Sequence, residues 1–298
     1  MRQRGGVMGA ALPTPAPSRP VLRYHGGKWK LAPWILQHFP EHGVYLEPFA
    51  GAASILMRKP RVAAEVYNDL DDGVVGLFRI LRDPARAAEL RRLVDLTPLA
   101  RSELEWAMAP AANDMEAAHK LILRSFLGRG SDAATRTCRV GFSTLLSDER
   151  ALPAQAFSKW PEAIATFTDR LRGVVIENRP AVDVIRMFDT PSTLVYADPP
   201  YLTETRSSMI GRSSGHGYKH EMSDEQHAEL STVLRSAQGM VLISGYPSTL
   251  YEKLYSDWDC VSTGHRAEGS AVRTEVLWIN PACAEALKRQ RSQGRMFE

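Results

Sequence analysis

Two hydrophobic periods alternate along this chain. Short apolar runs bounded by turn residues are typical of buried β-strands. Such runs occur at residues 44–46, 64–67, 173–177, 194–198, 239–244 and 275–279. Residues 71–82 instead have apolar side chains at helical spacing. Strands that alternate with helices predict an α/β fold with a parallel sheet, whose ligands bind at the carboxyl ends of the strands.

The segment between the second and third runs has a different character. Charged amphipathic helices are predicted around residues 85–94 and 115–126, and a stretch rich in Gly, Ser, Thr and Arg follows them without a strong period. The sequence therefore predicts a discontinuous sheet domain, residues 21–84 and 169–283, interrupted by a mostly helical insertion at residues 85–168.

The two ends of the chain differ from both parts. Residues 1–20 contain four prolines and three arginines, and we predict a disordered leader there, because their apolar run is too short for a signal peptide. Residues 284–298 are rich in Lys and Arg and are predicted to form a basic tail.

Composition limits the classes of function. The chain has 298 residues with 44% hydrophobic and 24% charged residues, which is a globular composition, and it contains no apolar run near the ~18 residues of a membrane span. Three widely spaced cysteines predict neither a disulfide framework nor a zinc site, so we expect no metal and a cytoplasmic location. A net charge of +3 permits a nucleic-acid partner without requiring one.

An acidic residue and two prolines follow the fourth apolar run, in the motif Asp198-Pro199-Pro200-Tyr201. Each proline fixes φ and removes an amide donor, so the loop is stiff and presents carbonyl oxygens. The Asp198 carboxylate and the Pro199 carbonyl could accept the two protons of an exocyclic amine, whose lone pair is otherwise delocalised into its ring. Tyr201 offers a ring on which a base can stack. For the tetrapeptide alone, a rigid turn after a strand is an equal alternative.

A turn of small residues follows the first apolar run, in the motif Glu47-Pro48-Phe49-Ala50-Gly51-Ala52-Ala53-Ser54. It lacks the GxGxxG spacing and the P-loop lysine, which argues against pyrophosphate binding. Small residues still let a nucleoside lie close to the backbone below a helix N-terminus, although close helix–strand packing is the alternative. Asp69, which ends the second run, is placed to accept ribose hydroxyls, with a helix N-cap as the alternative.

A third motif, Arg23-Tyr24-His25-Gly26-Gly27-Lys28, lies between the leader and the first apolar run. Paired glycines permit close backbone approach to a ligand, and Lys28 offers a cation for a carboxylate. A solvated turn is the alternative for this segment.

Taken in order, these segments resemble the Dam-like family of DNA adenine N6-methyltransferases, particularly the phage-type members of its alpha group. Residues 23–28 match its motif X, residues 47–54 its motif I, residues 68–69 its motif II and residues 198–201 its motif IV. The similarity covers most of residues 21–281. It implies a Rossmann-like methyltransferase sheet with a mostly helical target-recognition insertion, and S-adenosylmethionine as the cofactor.

The resemblance also implies a role for single residues. Asp198, Pro199, Pro200 and Tyr201 would form the catalytic loop. The residues implied to bind S-adenosylmethionine are Tyr24, Lys28 (near its carboxylate), Glu47, Phe49, Gly51, Asp69 (at the ribose), Asp183 and Val184 (at the adenine) and Asp198. The chain departs mildly from the family at two positions, since Ala53 replaces a frequent second glycine and Tyr24 replaces a tryptophan found in some members.

This family places target recognition between motifs I and IV, which here is the insertion, with residues 125–143 as the expected reading loop. The residues implied to contact double-stranded DNA are Arg23, Arg124, Arg129, Arg136 and Arg139. A well-formed bidentate contact to a base edge gives about 1–3 kcal/mol of discrimination. A solvated basic loop is an equal alternative for any single arginine.

The last residues resemble a short peptide that bacterial sliding clamps bind. The motif is Gln293-Gly294-Arg295-Met296-Phe297, and a frayed basic tail is the alternative. A sliding clamp is thus a second possible partner.

The resemblance implies site-specific methylation of adenine N6 by base flipping and direct displacement. Methylation of cytosine N4 is one alternative, because that amine poses the same chemical problem, although its catalytic loop usually has serine in place of Asp198. A sequence-specific DNA-binding protein without catalysis is the other.

Overall fold

The computed structural model describes residues 16–134, 141–143, 153–205, 219–266 and 272–294. Its seven strands in this part of the chain are β1 (Val44–Glu47), β2 (Ala64–Asn68), β3 (Val174–Glu177), β4 (Thr193–Ala197), β5 (Met240–Gly245), β6 (Asp259–Arg266) and β7 (Val272–Ile279). Its helices are α1 (Ala32–Leu36), α2 (Ser54–Arg58), α3 (Asp72–Arg82), α4 (Pro84–Asp95), α5 (Arg101–Ala107), α6 (Asp114–Leu127), α7 (Pro153–Ser158), α8 (Trp160–Leu171), α9 (Ala181–Phe188), α10 (Asp224–Arg235), α11 (Thr249–Leu254) and α12 (Pro281–Gly294).

The strands form one sheet in the order β3-β2-β1-β4-β5-β7-β6. Strands β1 to β5 are parallel, whereas β7 is antiparallel to both β5 and β6. The α/β fold with a parallel sheet is confirmed. From β1 the chain continues to β2 and β3 on one side of β1, and it then crosses to β4 and β5 on the other side. A topological switch point therefore lies between β1 and β4.

Each of the six predicted apolar runs became a strand, but the sequence pattern missed β6. Every residue of β4 and β5 is buried, because helices cover both faces of a parallel sheet and both sets of side chains must be apolar. The residues of β6 whose side chains are described are exposed or half-buried. An edge strand needs no apolar run, so hydrophobicity alone gave no sign of it.

Six of the described helices, α3 to α8, lie between β2 and β3, where a simple crossover needs one. Their apolar side chains belong to the same buried cluster as one face of the sheet: Phe78 of α3, Ile122 of α6 and Phe167 of α8 are all in it with Tyr67 of β2. These helices therefore share the core of the sheet. The helical character predicted for the insertion is present in the described residues; its boundaries and its role remain predictions.

A buried ion cluster joins β2 to α8. Glu65 of β2 accepts two hydrogen bonds from the Arg170 guanidinium, at 2.6 and 2.9 Å, and one from Lys59 Nζ at 2.7 Å. Burial raises the pKa of Glu65, but the hydrogen bonds from Arg170 and Lys59 outweigh it and lower the pKa overall. A buried carboxylate with three charge-assisted hydrogen bonds fixes α8 on the sheet.

The ends of the described chain are more ordered than the sequence suggested. Pro17 is buried, and the Arg19 guanidinium donates to the Ala156 carbonyl at 3.0 Å, so the packed chain begins inside the predicted leader of residues 1–20. Helix α12 runs to Gly294, so much of the predicted tail of residues 284–298 is helical. Residues 295–298, with most of the clamp-like peptide, lie outside the described residues.

Two properties of the described residues concern membranes and metals. No helix in the described ranges is long and apolar enough to cross a membrane. Within the same residues, no three His, Cys, Asp or Glu side chains are grouped so that they could hold a metal ion.

Candidate active site

A cavity of about 240 Å³ lies at the switch point between β1 and β4. Its walls come from segments that are far apart in sequence: residues 24–28, 47–52, 69–71, 180–182, 198, 200 and 219–222, with parts of α2 and α10. All four predicted motifs therefore meet at one cavity. For the motifs that follow β1, β2 and β4 this results from the topology, because the carboxyl ends of parallel strands lie at the same edge of the sheet. Residues 24–28 precede β1 and reach the cavity through the packing of Tyr24 on Gly51.

The turn after β1 is shaped by two left-handed residues. Gly51 has φ +48° and Ala53 has φ +53°, and Ala53 is the single non-glycine residue with positive φ in the described ranges. Ala53 occupies the position at which the family often has a second glycine, and its left-handed backbone shows why glycine suits that position. The Gly51 amide donates to Asp69 Oδ2 at 2.8 Å and the Gly51 carbonyl accepts from the Tyr67 hydroxyl at 2.9 Å, so the turn is held from both sides.

Tyr24 covers this turn. A Cβ atom at Gly51 would lie 2.9 Å from Cε1 of the Tyr24 ring, closer than real Cβ contacts. The glycine thus lets the first segment of the site pack directly on the turn after β1. The Gly27 amide donates to the Tyr24 carbonyl at 3.1 Å and closes the turn that carries the ring.

Asp69 lies at the end of β2, as predicted. Its Oδ1 accepts from the Asp71 amide and its Oδ2 from the Gly51 amide, both at 2.8 Å. Burial raises the pKa of Asp69, and these two hydrogen bonds oppose that shift. The N-cap of α3 is Asp71, whose Oδ1 accepts from the Gly73 amide, so the N-cap alternative for Asp69 is wrong.

Glu47 is 3% exposed at the end of β1. Its Oε2 accepts from the Tyr45 hydroxyl and from the Leu56 amide, each at 3.0 Å. Burial raises the pKa of Glu47 to about 8, because the charged form is penalised where water cannot reach it.

Asp198 is fixed at both of its oxygens. Its Oδ1 accepts from the Ser244 hydroxyl at 2.7 Å, and its Oδ2 lies 2.9 Å from Lys28 Nζ. Lys28 also donates to the Gly26 carbonyl at 2.9 Å. The side chain of Lys28 therefore spans from its own glycine turn to the loop after β4, and it joins the two motifs that are furthest apart in sequence.

Tyr201 is buried beside this ion pair, with 6% of its surface exposed. Its hydroxyl donates to the carboxylate of Glu275 on β7, Lys28 Nζ lies 4.7 Å from its ring centroid, and Tyr246 packs edge-to-face on it at 4.6 Å. Pro200, rather than Tyr201, contributes to the cavity wall.

Three polar residues of this site had no predicted role. Ser244 binds Asp198, Glu275 binds Tyr201, and Lys219 lies 2.7 Å from Asp71 Oδ1 beside the cavity. Each lies in a stretch that resembles the family, but a lone polar residue at the end of a strand gives no sign of its partner. Ser244 reaches Asp198 because β5 lies next to β4, which the structure shows and the sequence does not.

The two residues predicted to hold the cofactor's adenine do not line the cavity. Val184 is fully buried in the core, and the side chain of Asp183 is 55% exposed and faces Arg186. The wall is formed instead by residues 180–182, where the chain enters α9. The cavity wall therefore lies just before the two predicted residues, because α9 begins at Ala181 and turns Val184 into the core.

The arginines predicted to contact DNA have different surroundings. The Arg23 backbone is fixed to α6, since its amide donates to Ser125 Oγ at 2.8 Å and its carbonyl accepts from that hydroxyl at 3.0 Å. The Arg124 guanidinium is half-buried and donates to the Ala107 carbonyl at 2.8 Å. Arg129 is exposed, next to a short antiparallel bridge between Gly128 and Phe142. The remaining pair, at positions 136 and 139, lies outside the described residues.

Comparison with known proteins identifies the family. The model of the D12 class N6 adenine-specific DNA methyltransferases matches residues 24–105 and 136–269, which is more than half of the chain. The chain is 25% identical over 252 residues to a DNA adenine methylase of Salmonella typhimurium strain LT2, and 23% identical over 252 residues to one of Escherichia coli K12. Each alignment covers 80% of this chain and 84% of the relative. The resemblance seen in the sequence is thereby confirmed, and the chain belongs to the D12 class of enzymes that methylate DNA at N6 of adenine.

Proposed function

We propose that this enzyme methylates adenine within double-stranded DNA, with S-adenosylmethionine in the cavity between β1 and β4 and the target adenine extruded against the loop of residues 198–201. One observation carries the proposal: Asp198 borders the same cavity as Glu47, Gly51 and Asp69. A shared cavity brings a donor and an acceptor into contact, which is most of what a direct displacement needs.

The cavity suits a nucleoside with an amino-acid side chain. Gly51 lets Tyr24 pack directly on the turn at the cavity wall, since a larger residue would meet the Tyr24 ring. Each carboxylate oxygen of Asp69 has room for a further hydrogen bond beside its backbone donor. We assign Asp69 to the ribose and residues 180–182 to the adenine. Phe49, Glu47 and Tyr24 would contact the methionine part, and Lys28 its carboxylate. When bound, S-adenosylmethionine supplies an activated methyl group on a positively charged sulfur.

Asp198 is the acceptor for the target amine in this proposal. Ser244 holds one carboxylate oxygen and Lys28 holds the other, so the group has a fixed orientation before DNA binds. The two prolines that follow keep the Pro199 carbonyl next to it. A carboxylate and a carbonyl that accept both N–H groups would localise the amine's lone pair, and the carboxylate can take the proton that the amine loses.

Stacking of the adenine on Tyr201 requires a rearrangement. The ring is 6% exposed and Lys28 lies over it, so that side chain has to move before a base can occupy the same face. Apo geometries of catalytic groups often tighten only in the complex with substrate.

The insertion is proposed to read the DNA sequence. Arg129 is exposed beside the bridge between Gly128 and Phe142, as a residue that contacts phosphate or base edges should be. Arg124 is bound to a backbone carbonyl and half-buried, so we assign it to the packing of α6 on α5 rather than to direct contact. Methylation of cytosine N4 has no support from the family, which is adenine-specific.

Asp198→Ala tests the proposal. The variant should lose methyl transfer to duplex DNA while it keeps its melting temperature, and Asp224→Ala, at an exposed position on α10, serves as the matched control. Digestion of methylated DNA and identification of the modified nucleoside should give N6-methyladenine. Wild-type activity in Asp198→Ala would overturn the assignment of the acceptor.

A further inference from the structure

Glu275 is a buried carboxylate next to the catalytic loop. It lies on β7 one residue before Val276, which pairs with the last residue of β5, so it is at the same edge of the sheet as the cavity. Its side chain is 1% exposed and does not line the cavity wall. Burial raises its pKa, and the opposing effect of the nearby Lys28 does not cancel that rise. A carboxylate that is buried at this depth requires polar partners, and both of its partners belong to the site.

The first partner is Tyr201. Its hydroxyl donates to Glu275 Oε1, a contact that links β7 to the fourth residue of the catalytic loop. Tyr201 also packs edge-to-face on Tyr246, which follows β5. The hydroxyl bond fixes the position of the phenol oxygen, and the contact with Tyr246 limits the rotation of the ring. Glu275 lies on β7, and Tyr246 directly follows β5, the strand that pairs antiparallel with β7.

The second partner is Lys28, which Glu275 shares with Asp198. Lys28 Nζ lies 2.9 Å from Asp198 Oδ2 and 3.8 Å from Glu275 Oε1. The ammonium is attracted to both carboxylates, and each attraction falls with distance, so its position is a balance between the two. Because Glu275 is further away, it attracts the ammonium less strongly than Asp198 does. The charge of Glu275 still draws the ammonium toward the Tyr201 ring, whose centroid lies 4.7 Å from Lys28 Nζ.

We propose that Glu275 is a positioning residue for methyl transfer. It holds the hydroxyl of Tyr201 in place and draws the ammonium of Lys28 partly away from the Asp198 carboxylate. This inference rests on the proposed function, in which Asp198 accepts the amine and Tyr201 faces the base. Without the acceptor on β7, the Tyr201 hydroxyl loses its partner and the phenol can shift. The ammonium of Lys28 would then move closer to Asp198. Misplacement of reacting groups by about 1 Å can lower a rate about 100-fold.

Four variants and a control separate positioning from folding. Glu275→Ala removes the charge and the acceptor, Glu275→Gln restores the acceptor alone, and Tyr201→Phe removes only the hydroxyl. The double variant with alanine at 275 and phenylalanine at 201 completes a cycle. Glu252→Gln, at an exposed position on α11, is the matched control. The rate of single-turnover methylation of duplex DNA is measured at saturating S-adenosylmethionine. The dissociation constant of S-adenosylmethionine is measured by calorimetry, and the melting temperature of each variant is recorded.

Glu275→Ala should lower the single-turnover rate about 100-fold. Glu275→Gln should be about tenfold faster than Glu275→Ala and therefore about tenfold slower than the wild type. The dissociation constant should stay within about threefold, because Glu275 does not line the cavity. Tyr201→Phe should slow the wild type about tenfold and should not slow Glu275→Ala further, since the hydroxyl has no acceptor there.

Three results would overturn the inference: a wild-type rate in Glu275→Ala, equal slowing by Tyr201→Phe in both backgrounds, or a rate loss that only follows lost stability and lost cofactor binding. If Glu275→Ala does not fold, Glu275→Gln decides, and a rate within about twofold of wild type is the negative result. Asp198→Ala is run in the same assay. If that variant stays active the proposed function fails, whereas an inactive Asp198→Ala beside an unaffected Glu275→Gln removes only the role of Glu275.

Discussion

Replacement of Gly51 by alanine adds one methyl group, which should disturb the part of the site proposed to bind the cofactor. The backbone at Gly51 has φ +48°, a conformation that L-residues with a side chain rarely adopt. The new Cβ would lie 2.9 Å from Cε1 and 3.2 Å from Cδ1 of the Tyr24 ring. The backbone cannot shift away easily, because the Gly51 amide is bound to Asp69 and the Gly51 carbonyl to Tyr67.

Two terms set the size of the effect. A residue with a side chain in the left-handed region costs about 1–2 kcal/mol. The overlap with Tyr24 resembles insertion of a methyl group into a filled core, which costs about 1–3 kcal/mol. We therefore expect Gly51→Ala to lower the free energy of unfolding by roughly 2–5 kcal/mol, or the melting temperature by at least about 4 °C. Affinity for S-adenosylmethionine should fall at least about tenfold, which corresponds to about 1.4 kcal/mol.

Thermal unfolding and calorimetric titration with S-adenosylmethionine measure the two effects. Gly76→Ala is the matched control, because a Cβ at Gly76 on α3 meets nothing within 4 Å. A helical Gly→Ala change of this kind should be neutral or should stabilise the protein by up to about 1 kcal/mol. If Gly51→Ala had the melting temperature and the S-adenosylmethionine affinity of the wild type, the turn after β1 would not be held in place by Tyr24, Tyr67 and Asp69 as described above.

Further predictions concern charge. Because burial raises the pKa of Glu47 to about 8, the folded protein binds this proton more tightly than the unfolded chain, and the stabilising effect declines as the pH rises from the group's ordinary value of 4.5 to about 8. Glu47→Gln should therefore gain melting temperature relative to the wild type as the pH is raised across that window, and a constant difference would contradict the assignment. Arg170→Met should lower the free energy of unfolding in urea by about 3–5 kcal/mol, since it leaves a buried carboxylate with one fewer partner. Arg172→Met, whose side chain is 75% exposed, should change it by less than about 0.5 kcal/mol, and equal effects would argue against the buried cluster. Arg129→Ala should weaken binding to duplex DNA and reduce the slope of log affinity against log salt by about one, whereas Arg124→Ala should lower the melting temperature instead, because its guanidinium donates to a carbonyl at the end of α5. DNA titrations at several salt concentrations distinguish the two arginines.

Hydrophobic pattern determined most of the sheet but not its edge. The buried strands β1, β2, β4 and β5 are visible in the sequence because a strand covered on both faces must be apolar. Strand β6 lies at the edge, where half-exposed polar residues satisfy the same backbone pairing, and it was missed. The packing of residues 16–20 was also missed, because it comes from a contact between Arg19 and α7 that a proline-rich segment does not reveal.

The sequence by itself predicted the motifs of the site, since Asp198, Asp69, Gly51 and Lys28 belong to local patterns that can be read one at a time. That Asp198, Asp69 and Gly51 border one cavity also follows from the sequence, given that the ends of parallel strands share an edge, whereas the place of Lys28 required the structure. Only the tertiary structure decided the partners of Asp198, because hydrogen bonds between strands depend on strand order and register rather than on separation along the chain. For the same reason the contact between Tyr201 and Glu275, 74 residues apart, became visible only when β7 was seen to turn back beside β5.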